Sequence, residues 1–167
     1  FTNLGYEVVL SDRSSKALYS LGQHTIPSDT ICYPAKLVHG HIQSLIDKGL
    51  QTIFYPCMTY NVNEDMGDNH FNCPVVAYYP EVVEGNMNLG HVKFLYPYVY
   101  LEDKRIFDQK MFEYFKARQM DIPFKDVQAA SNHAYFAYQQ FKDRVQEEGR
   151  NAIAFARRNH RDVIVLA

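Results

Sequence analysis

Features that mark several common classes of binding protein are missing from this 167-residue sequence. The formal net charge is −2 and charged residues make up only 22% of the chain, so there is no basic stripe of the kind that nucleic acid or an anionic membrane surface requires. No apolar run approaches the roughly 18 residues that suggest a transmembrane helix. We therefore expect neither nucleic acid nor a membrane as a partner.

The glycines form no nucleotide-binding loop. None of the 8 glycines belongs to a GxxxxGK[ST] or a GxGxxG sequence, so the backbone cradles that hold nucleotide phosphates are absent from the sequence. The chain has no ATPase motif. Any nucleotide chemistry must lie elsewhere in a parent protein.

Cysteine is scarce, and none is arranged in a CxxC pair. The 3 cysteines are Cys32, Cys57 and Cys73, and their spacing matches neither a zinc ribbon nor a ferredoxin. An odd cysteine count without a signal peptide is typical of a reducing compartment. We expect a cytoplasmic protein.

The length suits one domain, residues 1–167. The sequence starts at Phe1 in the middle of a pattern and stops just as an apolar strand ends. We expect this single α/β domain to be a fragment of a larger multidomain protein.

Strand and helix signals alternate along the chain. Helices are predicted over residues 14–21, 34–48, 104–122 and 125–158, the last with a possible break at Gly149, and strands over 6–10, 52–55, 74–79, 92–100 and 162–166. The alternation predicts an α/β fold, a three-layer sandwich with a mainly parallel sheet and a long C-terminal helical segment.

The predicted elements place each cysteine at an element end. Cys57 follows the strand 52–55, Cys32 precedes the helix that Pro34 helps to begin, and Cys73 enters the predicted strand 74–79. Ligands gather at the carboxyl ends of parallel strands, and helix N-termini favour the thiolates that bind soft metals. A shared metal or iron–sulfur site is one interpretation, and ordinary buried cysteines are the other.

Other polar residues give weaker signals. His70 lies close to Cys73 and is either a tuning residue or an ordinary loop histidine. His39 and His41 lie on opposite sides of one helix and cannot bind one metal ion together. The acidic residues Glu64, Asp65 and Asp68 do not have the spacing of a calcium loop and fit a solvated turn.

Two longer strings carry a family resemblance. They run from Phe54 to Asn61 (FYPCMTYN) and from Asn69 to Pro80 (NHFNCPVVAYYP). Both resemble a region of unassigned function in large proteins related to the 2-hydroxyacyl-CoA dehydratase activators, also called CoA-substrate-specific enzyme activases. The sequence is similar, more distantly, to subunits of 2-hydroxyacyl-CoA dehydratases, benzoyl-CoA reductases and double-cubane proteins.

This resemblance implies an iron–sulfur module on a flavodoxin-like α/β domain. The three cysteines Cys32, Cys57 and Cys73 would be the ligands of a [4Fe–4S] or double-cubane cluster, a cofactor that oxygen can destroy. It also implies ATP-hydrolysing activase modules of the same protein as partners, together with a dehydratase-like partner domain and acyl-CoA.

Two functions therefore follow as expectations. The first is an electron-transfer module of an acyl-CoA dehydratase and activator system in anaerobic metabolism. The second is a non-catalytic docking or scaffold domain between activase modules, with structural cysteines. A zinc site is a third alternative, and no catalytic residue of this chain can be assigned.

Overall fold

The structure, a computed structural model, describes residues 1–65 and 67–165 and has a mixed α/β architecture. The helices are α1 Lys16–Gly22, α2 Tyr33–Asp47, α3 Pro74–Asn86, α4 Lys104–Ala117 and α5 Phe124–Arg158; the strands are β1 Thr52–Phe54, β2 Cys57–Tyr60, β3 Lys93–Leu95 and β4 Tyr98–Tyr100. Short 3₁₀ turns cover Thr2–Leu4 and Gln23–Thr25. The predicted α/β class, parallel strand pairing and long C-terminal helix are confirmed.

The strands form two parallel pairs, β1 with β3 and β2 with β4. Phe54 pairs with Leu95 and Cys57 with Tyr98, so the intervening Pro56 and Pro97 lie opposite each other. Proline has no N–H to donate, and this explains why the ladder is interrupted there. Hydrogen bonds from the Tyr55 N–H to the Leu95 carbonyl, 2.8 Å, and from the Cys57 N–H to the Pro97 carbonyl, 2.9 Å, flank the break.

Local capping signals define α1 and α2 as expected. The Ser15 hydroxyl accepts a hydrogen bond from the Leu18 N–H, 3.1 Å, at the start of α1. After α2, Gly49 takes a left-handed conformation with φ 75°. The N–H groups of Gly49 and Leu50 bond back to the carbonyls of Ile46 and Leu45, which is a Schellman cap.

The predicted strand 74–79 is wrong, because this segment is the first half of helix α3. Cys73 is extended, as a residue before proline prefers, and Pro74 occupies the first helical position, where a missing N–H costs nothing. Buried Tyr79 and Val83 then follow at helical spacing. The β-branched and aromatic residues that suggested a strand are therefore carried on a helix.

Helices α4 and α5 pack against each other. Asp103 caps α4 by accepting hydrogen bonds from the backbone N–H groups of Arg105, 2.8 Å, and Ile106, 3.4 Å. Buried Asp108 bonds to Lys104, 2.6 Å, and to the Ser131 hydroxyl of α5, 2.5 Å. Helix α5 continues without a break through Gly149 over 35 residues.

Two other predicted strands do not form. Residues 6–10 are extended and largely exposed, and they belong to no strand. Residues 162–165 are likewise exposed and outside both sheets, while Leu166 lies outside the described residues. Their apolar sequence favours strands, but neither segment pairs with a neighbouring backbone.

The core is divided into two clusters of buried residues. One joins α2, β1, α3 and β3 through residues such as Ile42, Ile53 and Val83. The other joins β4, α4 and α5 through Val99, Phe115 and Val127. The three cysteines lie at element ends: Cys32 precedes α2, Cys73 precedes α3 and Cys57 begins β2.

Candidate metal centre

Cys32 is the N-cap of helix α2. Its backbone is extended, with φ −62° and ψ 152°, and its carbonyl accepts a hydrogen bond from the Lys36 N–H, 3.2 Å. The side chain makes no capping hydrogen bond and is exposed. Cys32 therefore lies at the N-terminus of a 15-residue helix, where the first backbone N–H groups have no partner within the helix.

Cys73 has the same position on helix α3. Its φ of −60° and ψ of 155° match those of Cys32, and it too is exposed and makes no capping hydrogen bond with its side chain. Its carbonyl accepts hydrogen bonds from the Val76 and Ala77 N–H groups, both 3.0 Å. The prediction that Cys73 enters a strand was wrong, because Cys73 precedes a helix. Cys32 and Cys73 therefore occupy the same position at the N-termini of two helices.

Cys57 differs from the other two because it is fully buried. It is the first residue of β2, a short strand that was not predicted, since the sequence placed Cys57 just after the strand 52–55. Burial, and then the negative charge of Glu81, raise the pKa of the Cys57 thiol to about 11, while a hydrogen bond with Tyr98 acts in the opposite direction. This thiol stays protonated at neutral pH unless a cation binds it.

Two tyrosines connect the surroundings of the three cysteines. Burial raises the pKa of Tyr55 to about 12, with further contributions from Tyr79, Cys57 and Cys73. Burial, and then Cys32, raise the pKa of Tyr79. Cys57 and Cys73 therefore act on Tyr55, whereas Cys32 acts on Tyr79.

The buried His39 joins Tyr79 of α3 to Thr25 by hydrogen bonds. Its Nδ1 is 2.7 Å from the Thr25 hydroxyl and its Nε2 is 2.8 Å from the Tyr79 hydroxyl. The Thr25 hydroxyl donates to the Gly22 carbonyl, 2.8 Å, so it must accept from Nδ1–H, and the Tyr79 hydroxyl donates to Nε2. Burial lowers the pKa of His39, which favours this neutral form.

His41 and His70 have other partners. His41 bonds through Nδ1 to the Ser11 hydroxyl, 2.8 Å, and through Nε2 to the Ser14 hydroxyl, 3.1 Å. The expectation that His39 and His41 do not share a metal ion agrees with these separate partners. His70 packs its ring against Tyr60, with centroids 5.8 Å apart.

Two carboxylates of α3 accept hydrogen bonds from tyrosine hydroxyls, and one of them, Glu81, also acts on Cys57. The Tyr98 hydroxyl donates to Glu81, and the Tyr96 hydroxyl donates to Glu84, 2.5 Å. The hydrogen bond to Glu84 is the main reason that the pKa of Tyr96 is raised to about 12. Neither glutamate was predicted as a site residue. Had α3 been recognised as a helix, the three-residue spacing of Glu81 and Glu84 would have placed them one turn apart on the same side.

The acidic loop residues have ordinary roles. Glu64 forms an ion pair with Lys142 of α5, 3.2 Å, and the Asn63 side chain accepts a hydrogen bond from the Asp65 N–H, 2.7 Å. Within residues 1–65 and 67–165, no group of three or more His, Cys, Asp or Glu side chains is close enough together to hold a single metal ion. The side chains as placed therefore do not form a compact mononuclear site.

The donor set nevertheless suits a larger inorganic group. Three thiols, two of them at helix N-termini, match the preference of iron–sulfur clusters for thiolate ligands. A cluster spans more space than a single ion, so its ligands need not be in mutual contact. Cys32, Cys57 and Cys73 are the residues that could hold it.

An apolar cavity of about 270 Å³ has walls contributed by the 3₁₀ turn Thr2–Leu4, β2, β4, α4 and α5. Its lining includes Phe107 and Ser131, together with Pro56 and Met58 on either side of Cys57. None of the three cysteines lines it.

Comparison with known proteins identifies a family. A family model described as the CoA enzyme activase uncharacterised domain matches residues 1–167. No curated protein and no solved structure matches the chain. In the part of the chain that the structure describes, no helix has the length and apolar character needed to cross a membrane.

Proposed function

Because the chain belongs to the CoA enzyme activase uncharacterised domain family, we propose that it is the iron–sulfur electron-transfer module of an acyl-CoA dehydratase and activator system. Cys32, Cys57 and Cys73 are the proposed ligands of a [4Fe–4S] or double-cubane cluster. The observation that supports this most directly is the common position of Cys32 and Cys73 as N-caps of two helices.

The cluster would supply one-electron transfer at low potential. Three protein thiolates would leave one of its four irons without a protein ligand. The helix N-termini at Cys32 and Cys73 would favour negative charge on the ligands of a bound cluster. The Glu81 carboxylate would add negative charge close to Cys57, which would favour the oxidised state of the cluster and lower its reduction potential. Half-buried Tyr55 and buried Tyr79 would limit the access of water to it.

The partners follow from the same proposal. We expect ATP-hydrolysing activase modules of the same protein to deliver the electron, because this sequence has no nucleotide-binding loop. A dehydratase-like partner domain and its acyl-CoA would receive the electron. The oxygen sensitivity of such chemistry fits a reducing, cytoplasmic setting.

Anaerobic purification from cells competent in cluster assembly tests the proposal. The expected preparation is brown and contains about four iron and four sulfide per chain. Replacing any of Cys32, Cys57 or Cys73 with serine should remove most of the iron. Ser28→Ala, in the exposed loop before α2, is the control and should retain it.

The alternative is a docking or scaffold domain with structural cysteines. The exposed apolar side chains of α5, such as Phe141 and Val145, favour some docking role. A colourless, iron-free anaerobic preparation, with partner binding preserved in the triple serine variant, would favour this alternative and reject the cluster. Zinc in place of iron in the same metal analysis would identify the third possibility.

A further inference from the structure

The apolar stripe of α5 continues beyond the part of the domain that covers it. Val127 and Ser131, near the start of α5, are buried where the helix meets α4. Further along the same face, Phe141 and Val145 are 55% and 54% exposed. A 35-residue helix is about 52 Å long, so its second half presents an uncovered apolar surface.

The chain leaves α5 in a defined direction. The His160 N–H bonds to the Arg157 carbonyl, 3.4 Å, and the Arg161 N–H bonds to the Ala156 carbonyl, 2.9 Å. His160 has φ 48°, so the three features together make a Schellman cap. The segment that follows is thereby held at a fixed angle to the helix.

Residues 162–165 have the composition of an interior strand but belong to neither sheet. Val163, Ile164 and Val165 are 53%, 83% and 83% exposed. Neighbouring side chains on a strand point to opposite faces, so both faces of this segment are apolar, as in strands of parallel sheets covered on both sides. Among the described residues, 162–165 form no backbone hydrogen bond.

We propose that residues 162–165 add as a strand to the open edge of a parallel β-sheet in a separate folded domain, and that the exposed stripe of α5 packs on the same domain. Burying the apolar side chains of 162–165 also removes their backbone groups from water, and these groups then need hydrogen-bond partners that a sheet edge provides and a membrane or another helix does not. A helix followed by an apolar strand is half of a repeating α/β unit, and an α/β sheet supplies both missing contacts at once.

Positive charge at the end of α5 indicates what charge the partner carries. Arg157, Arg158 and Arg161 are all exposed where α5 gives way to the segment. The matching sheet edge is therefore expected to carry carboxylates near its rim, where such charges mainly set orientation. This interface does not depend on the proposed cluster.

Site-specific photo-cross-linking in the complete polypeptide that contains this domain tests the proposal. A photoreactive amino acid in place of Ile164, or in place of Phe141, should attach to the same partner domain, with the Ile164 product on an edge strand. The same probe in place of Arg150, exposed on the other side of α5, is the control and should give at least about tenfold less product.

Two results would overturn the proposal. One is equal yield from the Ile164, Phe141 and Arg150 probes. The other is attachment of the Ile164 probe to a second copy of this domain, which mixing of isotopically labelled and unlabelled protein detects. In that case the uncovered surface is a self-association site.

Hydrogen exchange gives an independent readout. The amides of Val163, Ile164 and Val165 should exchange on the order of 100-fold more slowly in the complete polypeptide than in the isolated chain. Ile164→Pro should abolish this protection, and Ile164→Val should keep it, with iron content unchanged in both. Equal, rapid exchange in both settings would contradict strand addition without bearing on the cluster.

Discussion

The backbone of Gly40 in α2 lies so close to Leu18 in α1 that a Cβ atom at Gly40 would stand 2.0 Å from the Leu18 carbonyl oxygen. A Cβ atom on Gly22 would stand 2.3 Å from the Gly40 nitrogen. Helices α1 and α2 therefore touch backbone to backbone, and only glycine fits at either position. This contact supports α2, whose N-terminus carries Cys32.

Gly40→Ala should destabilise the domain, because one of two packed backbones must move to admit the methyl group. We expect a loss of about 1–3 kcal/mol in the free energy of unfolding, measured by urea denaturation. Gly149→Ala is the matched control, since a Cβ atom there meets nothing within 4 Å. It should stabilise helix α5 by roughly 0.5–1 kcal/mol. Similar effects at the two positions would contradict the close approach of α1 and α2.

Asp108→Ala should weaken the contact between α4 and α5. The carboxylate is buried, and its removal leaves the Ser131 hydroxyl without its partner on α4 and Lys104 without its counter-ion. We expect a loss of about 1–3 kcal/mol in the free energy of unfolding. Glu113→Ala, on the exposed side of α4, should change it by less than about 0.5 kcal/mol. A neutral effect of Asp108→Ala would show that these hydrogen bonds do not hold the two helices together.

Stability should fall as the pH drops below 6.5, the ordinary pKa of histidine. Burial lowers the pKa of His39 in the folded chain, so the unfolded chain binds the proton more readily. The stabilisation by neutral His39 is complete above pH 6.5 and is lost as the pH falls through the lower, folded-state pKa. Chemical denaturation between pH 7.5 and 5 measures this, and His39→Gln should flatten the slope relative to the unaltered chain. An unchanged slope in that variant would assign the effect to other groups.

The three thiols of metal-free protein should react at different rates. Cys32 and Cys73 are exposed, whereas Cys57 is buried and its pKa is raised from 9.0 to about 11. Because thiolate is the reactive form, this shift alone slows alkylation of Cys57 by about 100-fold at pH 8. Mass spectrometry of iodoacetamide-treated protein should show two rapid additions and one slow one. Glu81→Gln should speed the slow addition; three equally fast additions would contradict the placement of Cys57.

Much of the helical structure could be predicted from local signals. Ser15, Pro34 and Gly49 marked helix ends correctly because caps and stops act on the nearest few residues. Helix α3 could not be recognised in the same way, since Val75 and Val76 favour strands locally and their helical state depends on packing against β2. The strands predicted over 6–10 and 162–165 were wrong because an apolar sequence favours a strand, but a strand forms only where a neighbouring strand is present to pair with it.

The sequence identified the candidate cysteines but not the residues that surround them. The sequence indicated that Cys32, Cys57 and Cys73 mark element ends, and the structure puts two of them at helix N-termini. The roles of Tyr79 and His39 arise from a contact across 40 positions of the chain, which no local pattern reports. Which metal these thiols bind, and how many ions, is a prediction that metal analysis tests.

The facing prolines Pro56 and Pro97 separate the two strand pairs, and each pair belongs to a different cluster of buried residues. With the ladder broken at this point, side-chain packing and not continuous strand pairing joins the half built on β1 and β3 to the half built on β4, α4 and α5. Cys57 follows Pro56 directly, so the buried thiol lies where the two halves meet.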